Sequence, residues 1–264
     1  MSRIRMSMYQ MLAVVLAIGC GGAKSPEAQA KPEPAAPVQV AQAGAVAPSG
    51  GGSATIAGSV TLSGAAPAQE KIKMDADPQC ALQHKEPVYK EEIVANANGA
   101  LRNVFVYVKQ GLEGKSFAAP ATPATFNQHG CRHEPHVLGV QVNQPVEIVN
   151  SDATLHNVNC KPTKSKPFNI AQPTKGMKSN KAFTAPEIMV KCACNVHPWM
   201  NAYIGVVSHP FFSVTDENGA FSLAGLPAGS YTIEAWQEKL GTQTQTVAVA
   251  DGESKSVTFE FKAQ

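Results

Sequence analysis

Several features that would point to a common function class are missing from this sequence. Its 264 residues carry 22 Lys and Arg against 20 Asp and Glu, a net charge of +2. No run of basic residues is dense, so a nucleic-acid surface is not expected. Helix-period apolar stripes are hard to find, whereas Gly, Pro, Val and Thr are common, a balance that favours an all-β protein. No phosphate loop, Ser/His/Asp arrangement or carboxylate pair stands out, and no enzyme chemistry is expected. There is no internal repeat, and no apolar run long enough to span a bilayer comfortably. With 44% hydrophobic residues, the chain can still bury one sizeable core or two small ones.

The N-terminus reads as an export signal. Arg3 and Arg5 precede the short apolar run Met11–Gly19, and no acidic residue comes before Glu27. The run ends in Ala-Ile-Gly-Cys-Gly-Gly, and a small residue before Cys20 resembles a bacterial lipoprotein signal, with Ala17 where such signals usually carry Leu. The resemblance implies residues 1–19 as signal peptide and Cys20 as the lipidated new N-terminus. An ordinary secretory signal cut nearby is the alternative. Residues 20–53 are mostly Ala, Pro, Gly and Gln, a composition expected to form a disordered tether behind the anchor. Several acyl chains would make that anchor stable. The expected location is the bacterial cell envelope, facing the periplasm, with an outer-membrane anchor preferred.

Six cysteines are present. Setting Cys20 aside leaves Cys80, Cys131, Cys160, Cys192 and Cys194, an odd number for an exported protein. A thiolate held by a metal would resolve the count.

Alternation predicts strands over Ala54–Gly64 and Leu101–Gly111; in the second, Val104, Val106 and Val108 share one face and Phe105 and Tyr107 the other. His136–Asp152 reads as two strands joined at Asn143-Gln144-Pro145. The stretch before Cys194 places Ile188, Val190, Cys192 and Cys194 on one face, and Ala202–His209 returns as another strand. After Phe211, strands alternate with turns at Glu217-Asn218-Gly219, Pro227-Ala228-Gly229 and Asp251-Gly252, like a small antiparallel sandwich.

The chemistry concentrates in Val190–Met200. Cys194, His197 and Met200 are spaced Cys-x-x-His-x-x-Met, a short inter-strand loop able to turn three ligands inward. A fourth ligand must come from a distant strand end, and His156 follows the apolar run Val146–Val149 and the turn Asn150-Ser151-Asp152. Two imidazoles, a thiolate and a weak thioether form the trigonal blue-copper set. Zinc fits less well, because Met is a poor zinc ligand and Cys-x-Cys geometry is awkward. A copper-free sandwich that merely keeps the loop is also open. His129, His133 and His136, with Cys80 and His84, form either a second metal site or, as is commoner, surface imidazoles around a disulfide. Glu134 and Asp152 read as solvated surface, with support of a histidine as the alternative.

The run from Asn143-Gln144-Pro145-Val146 through Asn150, Asp152 and His156-Asn157, followed by that loop, resembles the cupredoxin family, most closely its amicyanin-like and plastocyanin-like members. The resemblance covers roughly residues 125–209. It implies copper held by His156, Cys194, His197 and Met200. It also implies single-electron transfer, and an exposed His197 edge with Pro198 and Trp199 as the apolar rim where a partner docks. Cys192 stands at an azurin-like spacing from His197 and is the alternative thiolate; His-Pro-Trp-Met after it favours Cys194. If Cys194 holds the metal, Cys160–Cys192 is the proposed disulfide, since Cys160 lies just beyond His156, and Cys80–Cys131 follows; four cysteines allow three pairings.

The stretch Asp216-Glu217-Asn218-Gly219-Ala220-Phe221 through Leu226-Pro227-Ala228-Gly229-Ser230-Tyr231 resembles the carboxypeptidase regulatory-like domain, a transthyretin-like sandwich. Its first strands would be Ala57–Gly64 and Asn103–Gly111, far upstream. The expected architecture is therefore all-β: a cupredoxin-like Greek-key sandwich (125–209) packed on a small transthyretin-like sandwich (210–264), with 54–124 supplying strands to the latter. The functional expectation is a lipid-anchored type 1 copper electron carrier, monomeric, working with redox proteins of the envelope. Non-redox copper delivery, and a metal-free structural or adhesion protein, are the alternatives.

Overall fold

The structure, a computed structural model, describes residues 51–263. The signal peptide, the Cys20 anchor and nearly all of the 20–53 linker lie outside the described residues. Among the described residues, eighteen strands and one short helix follow in order. They are β1 (Ala54–Ser63), α1 (Pro78–Ala81), β2 (Val94–Ala95), β3 (Leu101–Arg102), β4 (Phe105–Gln110), β5 (Ala124–His129), β6 (Arg132–Glu134), β7 (Val137–Gln141), β8 (Val146–Asn150) and β9 (His156–Cys160). Then come β10 (Phe168–Gln172), β11 (Lys178–Lys181), β12 (Glu187–Ala193), β13 (Asn201–Val207), β14 (Phe212–Val214), β15 (Ala220–Leu226), β16 (Gly229–Gln237), β17 (Gly241–Val249) and β18 (Ser254–Lys262). The chain is all-β, built as two sandwiches. Among the described residues no helix is long and apolar enough to cross a membrane.

One sandwich joins the two ends of the described chain. Its sheets run β15-β1-β18 and β14-β4-β16-β17. Period-2 alternation explains the core: Ile56, Val60 and Leu62 from β1, Val106 and Val108 from β4 with Val104 just before it, Phe221 and Leu223 from β15, Ile233 from β16, and Phe259 and Phe261 from β18 are buried together. The Asp216 carboxylate accepts from the Asn218 and Ala220 N–H groups, both at 2.9 Å, which bends the chain into β15.

The other sandwich is formed by the chain between β4 and β14. Its sheets run β10-β9-β12-β13-β7 and β11-β8-β5-β6. Strands β7 and β8 are consecutive but lie in opposite sheets, so Asn143-Gln144-Pro145 crosses between layers rather than closing a hairpin. Phe126, Val140, Ile148, Val158, Phe183, Val190 and Ile204 fill the space between them. The expected common face of β12 breaks at its start. A register shift between Glu187 and Val190 leaves Ile188 exposed while Val190, Cys192 and Cys194 stay buried.

Strand β4 is buried on both faces. Its Val residues point into the first core, while Phe105 and Tyr107 join Val137, Val207, Met189, Phe212 and Trp236 in a layer between the sandwiches. Gly139 on β7 and Gly205 on β13 are register partners in neighbouring strands. A Cβ at Gly205 would lie 2.6 Å from the Phe105 ring, and one at Gly139 would lie 2.4 Å from the Phe212 ring. The paired glycines form the hollow into which those rings press.

Candidate metal centre

The site lies at one end of the inserted sandwich, where β9 begins and the loop between β12 and β13 turns. Asn150 shapes the approach. Its amide donates to the Thr154 and Gln172 carbonyls at 3.0 and 2.8 Å, and its side-chain oxygen accepts from the Asp152 N–H at 2.9 Å. That turn delivers His156 as the first residue of β9. On the loop, the Cys194 N–H donates to the Met200 carbonyl at 3.0 Å and the Met200 N–H to the His197 carbonyl at 2.9 Å. Asn157 anchors the loop from below: its side-chain oxygen accepts from the Asn195 N–H at 2.6 Å and faces Cys194 Sγ at 3.4 Å.

His156, His197, Cys194 and Met200 are all buried, at 0, 2, 3 and 1% exposure. The Nδ1 atoms of His156 and His197 lie 2.9 Å apart, and Cys194 Sγ is 3.8 Å from His197 Nδ1. Ligand atoms of these three residues all fall within 4.8 Å of one another. Met200 shares a buried cluster with Cys194.

Each imidazole is held from behind by a carboxylate. His156 Nε2 meets Asp152 Oδ2 and His197 Nε2 meets Asp77 Oδ2, both at 2.9 Å. An ionised carboxylate can only accept, so both Nε2 atoms donate. In neutral rings both Nδ1 lone pairs then face each other beside a sulfur. Such a trio needs protons or a cation at its centre, and two imidazoles with a thiolate match the donor set of a soft transition metal.

The electrostatics point the same way. Burial opposes charge on His156, but the Asp152 carboxylate and the Cys194 sulfur outweigh it and push the imidazole up to about 9. Burial raises Cys194, yet His156 and His197 outweigh it and bring the thiol down to about 5. His197 is raised, with burial opposed by Cys194 and Asp77. Asp77 is lowered, chiefly by its hydrogen bond to His197.

Cys80 is bonded to Cys131, and Cys160 to Cys192 across register partners of β9 and β12. Cys194 is the free cysteine among the described residues. Cys192 is therefore tied up in the sheet, two residues short of the loop.

Three expectations differ from the structure. Asp152 is not solvated surface: it is 1% exposed, and besides His156 it accepts from the Gly130 and Cys131 N–H groups at 2.9 and 2.8 Å. Gly130 (φ 59°) and Cys131 (φ 52°) form the two-residue connection of the β5–β6 hairpin, whose left-handed conformation turns those two groups toward the carboxylate. The His197 edge is not at the surface either. Asp77 and the Cys80 Sγ, 3.6 Å from Nε2, cover it, while Pro198 is exposed and Trp199 half-buried, its indole N–H on the Cys131 carbonyl at 3.0 Å. Finally, the remaining histidines surround the Cys80–Cys131 disulfide without converging, but they are not all surface imidazoles, since His133 and His136 are buried. His84 meets the Gly130 carbonyl, His129 is exposed near Glu134, His133 is buried against Phe126, and His136 sits between the Asn201 carbonyl and Glu238. Glu134 is half-exposed, paired with Arg132.

Asp77 and Asn157 had escaped sequence reasoning. Asn157 carried a signal, as the residue after His156 in the motif; Asp77 carried none, lying 120 residues from the ring it holds.

Residues 197–262 match the carboxypeptidase regulatory-like domain. No curated protein matches the chain. Solved structures similar to it include the Cu-containing nitrite reductase of Thermus scotoductus SA-01, at 25% identity over 37% of this chain, with TM-score 0.31; the match spans only 25% of that enzyme. A purple cupredoxin from Nitrosopumilus maritimus is 21% identical over 31% of this chain and 98% of its own, with TM-score 0.28. A Cu(I) form of an amicyanin variant is 20% identical over 38% of this chain and 97% of its own, with TM-score 0.29. At these TM-scores the likenesses carry no argument about what the chain does.

Proposed function

We propose that the chain is an exported, lipid-anchored copper protein that passes single electrons between redox partners in the cell envelope. The observation that supports this most is the buried convergence of His156 Nδ1, His197 Nδ1 and Cys194 Sγ, with both imidazoles oriented by carboxylates. Copper, when bound, supplies a one-electron couple between Cu(II) and Cu(I). The thiolate of Cys194 and the thioether of Met200 suit the reduced ion, and the two imidazoles suit the oxidised one. Because the ligand-bearing segments are fixed by the Cys160–Cys192 disulfide, the Asn157 anchor and the loop's own hydrogen bonds, the site rearranges little when the charge changes.

The reading is of a carrier and not an enzyme, since the protein's own side chains close around the site. Cys20 is the proposed anchor, and the protein faces the periplasm, with an outer-membrane anchor preferred. Pro198 and Trp199 are the proposed rim for a redox partner; Val196 and Leu155, each next in sequence to a ligand histidine, are exposed at 45 and 43%. Weak, transient encounters suit a small interface of that kind.

Titration of the purified protein with Cu(II) tests the reading. The expected result is one copper per chain with an intense band at about 600 nm, typical of thiolate-to-copper charge transfer, and its loss in Cys194→Ser. Binding without that band, with rapid exchange, would favour copper delivery over electron transfer. No binding at all would leave a structural protein.

A further inference from the structure

The segment between β1 and β2 is held down as a cap over the metal loop. Its two limbs clip together through the Ile72 N–H on the Val88 carbonyl at 2.8 Å and the Lys90 N–H on the Glu70 carbonyl at 2.9 Å. Ile72, Met74 and Cys80 are buried with Cys131, Cys194 and Met200, and the Cys80–Cys131 disulfide fastens the cap to the β5–β6 hairpin. At its centre the Asp77 carboxylate divides its oxygens. Oδ1 accepts from the Gln79 N–H at 2.8 Å and caps α1; Oδ2 accepts from His197 Nε2 at 2.9 Å and from the Thr154 hydroxyl at 3.2 Å.

We propose that Asp77 is a positioning residue that sets the balance between the two oxidation states of the metal, brought to His197 by this disulfide-fastened cap. The proposal rests on the copper reading above. A carboxylate accepting the Nε2 proton makes the opposite ring nitrogen a stronger donor and fixes the plane of the imidazole. Its charge also lies near the metal position, where it favours the more positive ion. Asp152 does the same for His156, so the site has a matched pair of carboxylates, one from the inserted sandwich and one from the cap. A purely structural role, as the N-cap of a four-residue helix, is the competing account.

Asp77→Asn separates them. Asn is as good an N-cap as Asp and keeps an acceptor, but loses the charge. The copper-loaded full-length protein is studied by spectroelectrochemistry. In Asp77→Asn the equilibrium should move about tenfold toward Cu(I), which raises the midpoint potential by about 59 mV for a one-electron couple. Asp77→Ala should move it at least as far and release copper faster to a chelator. Thr154→Val, which leaves α1 untouched, removes a donor from Asp77 and should move the equilibrium the opposite way by a smaller factor. A less than twofold change in both Asp77→Asn and Thr154→Val, with the visible band intact, overturns the role of Asp77 and leaves the copper reading standing. A wild-type protein that binds no copper, or shows no such band, overturns the electron-carrier reading and this proposal with it.

Discussion

Asp152 offers the most direct test of how the site is held. It is almost wholly buried, and its two oxygens receive three donors: the Gly130 N–H, the Cys131 N–H and His156 Nε2. Asp152→Ala removes both acceptors and leaves all three donors without partners. Each unsatisfied buried donor costs about 1–3 kcal/mol, and partial entry of water lowers the sum, so a loss of about 3–5 kcal/mol is expected. That is a large share of the 5–15 kcal/mol typical of a folded protein, or roughly so. Urea denaturation of the metal-free protein at neutral pH, with both disulfides intact, measures it as a fall in midpoint at constant slope. Asp152→Asn keeps one oxygen and should fall between. The same variant reads out the electrostatics. Because the Asp152 carboxylate and the Cys194 sulfur together lift His156 to about 9 against burial, losing the charge should lower the His156 midpoint, followed by NMR titration of its ring protons. A loss below about 1 kcal/mol in Asp152→Ala, with the His156 titration unmoved in Asp152→Asn, would refute the reasoning.

Two further outcomes are expected. In the metal-free protein the Cys194 thiol, brought from 9.0 to about 5, adds stability that is complete above 9 and vanishes as pH falls through 5. His156, lifted from 6.5 to about 9, adds stability that is complete below 6.5 and vanishes as pH rises through 9. Thiolate absorbance should therefore appear with a midpoint near 5. Between 6.5 and 9 the gain from Cys194 offsets the loss from His156, so the net fall in stability comes at the acid end, below 6.5; a thiol that ionises at its ordinary value would contradict this. Gly205→Val, which drives a side chain into the Phe105 ring, should cost about 1–3 kcal/mol by overpacking and leave the visible copper band in place. An unchanged melting temperature would mean the two sandwiches do not meet there.

Strand β1 was legible because alternation survives where one face is buried, and β4, buried on both, because it is a run of Val and aromatic residues with Val on one face and Phe105 and Tyr107 on the other. The loop and His156 were legible because ligand types at a strand end and in a short turn leave a local signature. Ile188 was misassigned because a register shift is a matter of pairing and leaves no mark in residue types. Asp152 looked like surface because a turn residue is usually solvated, and only the hairpin at Gly130-Cys131, folded over from another strand, buries it. Asp77 was illegible for the same reason carried further: the contact joins distant parts of the chain, and neither partner's neighbours depend on it. The exposed His197 edge implied by the resemblance failed because the cap is an addition from outside the inserted sandwich.

The insertion between β4 and β14 has a mechanical consequence. Those strands are neighbours, with Phe212 opposite Tyr107, so the inserted sandwich leaves and rejoins its host at almost the same place. A body hung from two adjacent, hydrogen-bonded points and wedged by aromatic rings has no single hinge to swing on. The loop that carries Cys194, His197 and Met200 therefore keeps a constant bearing on the host sandwich, which serves it as a mount.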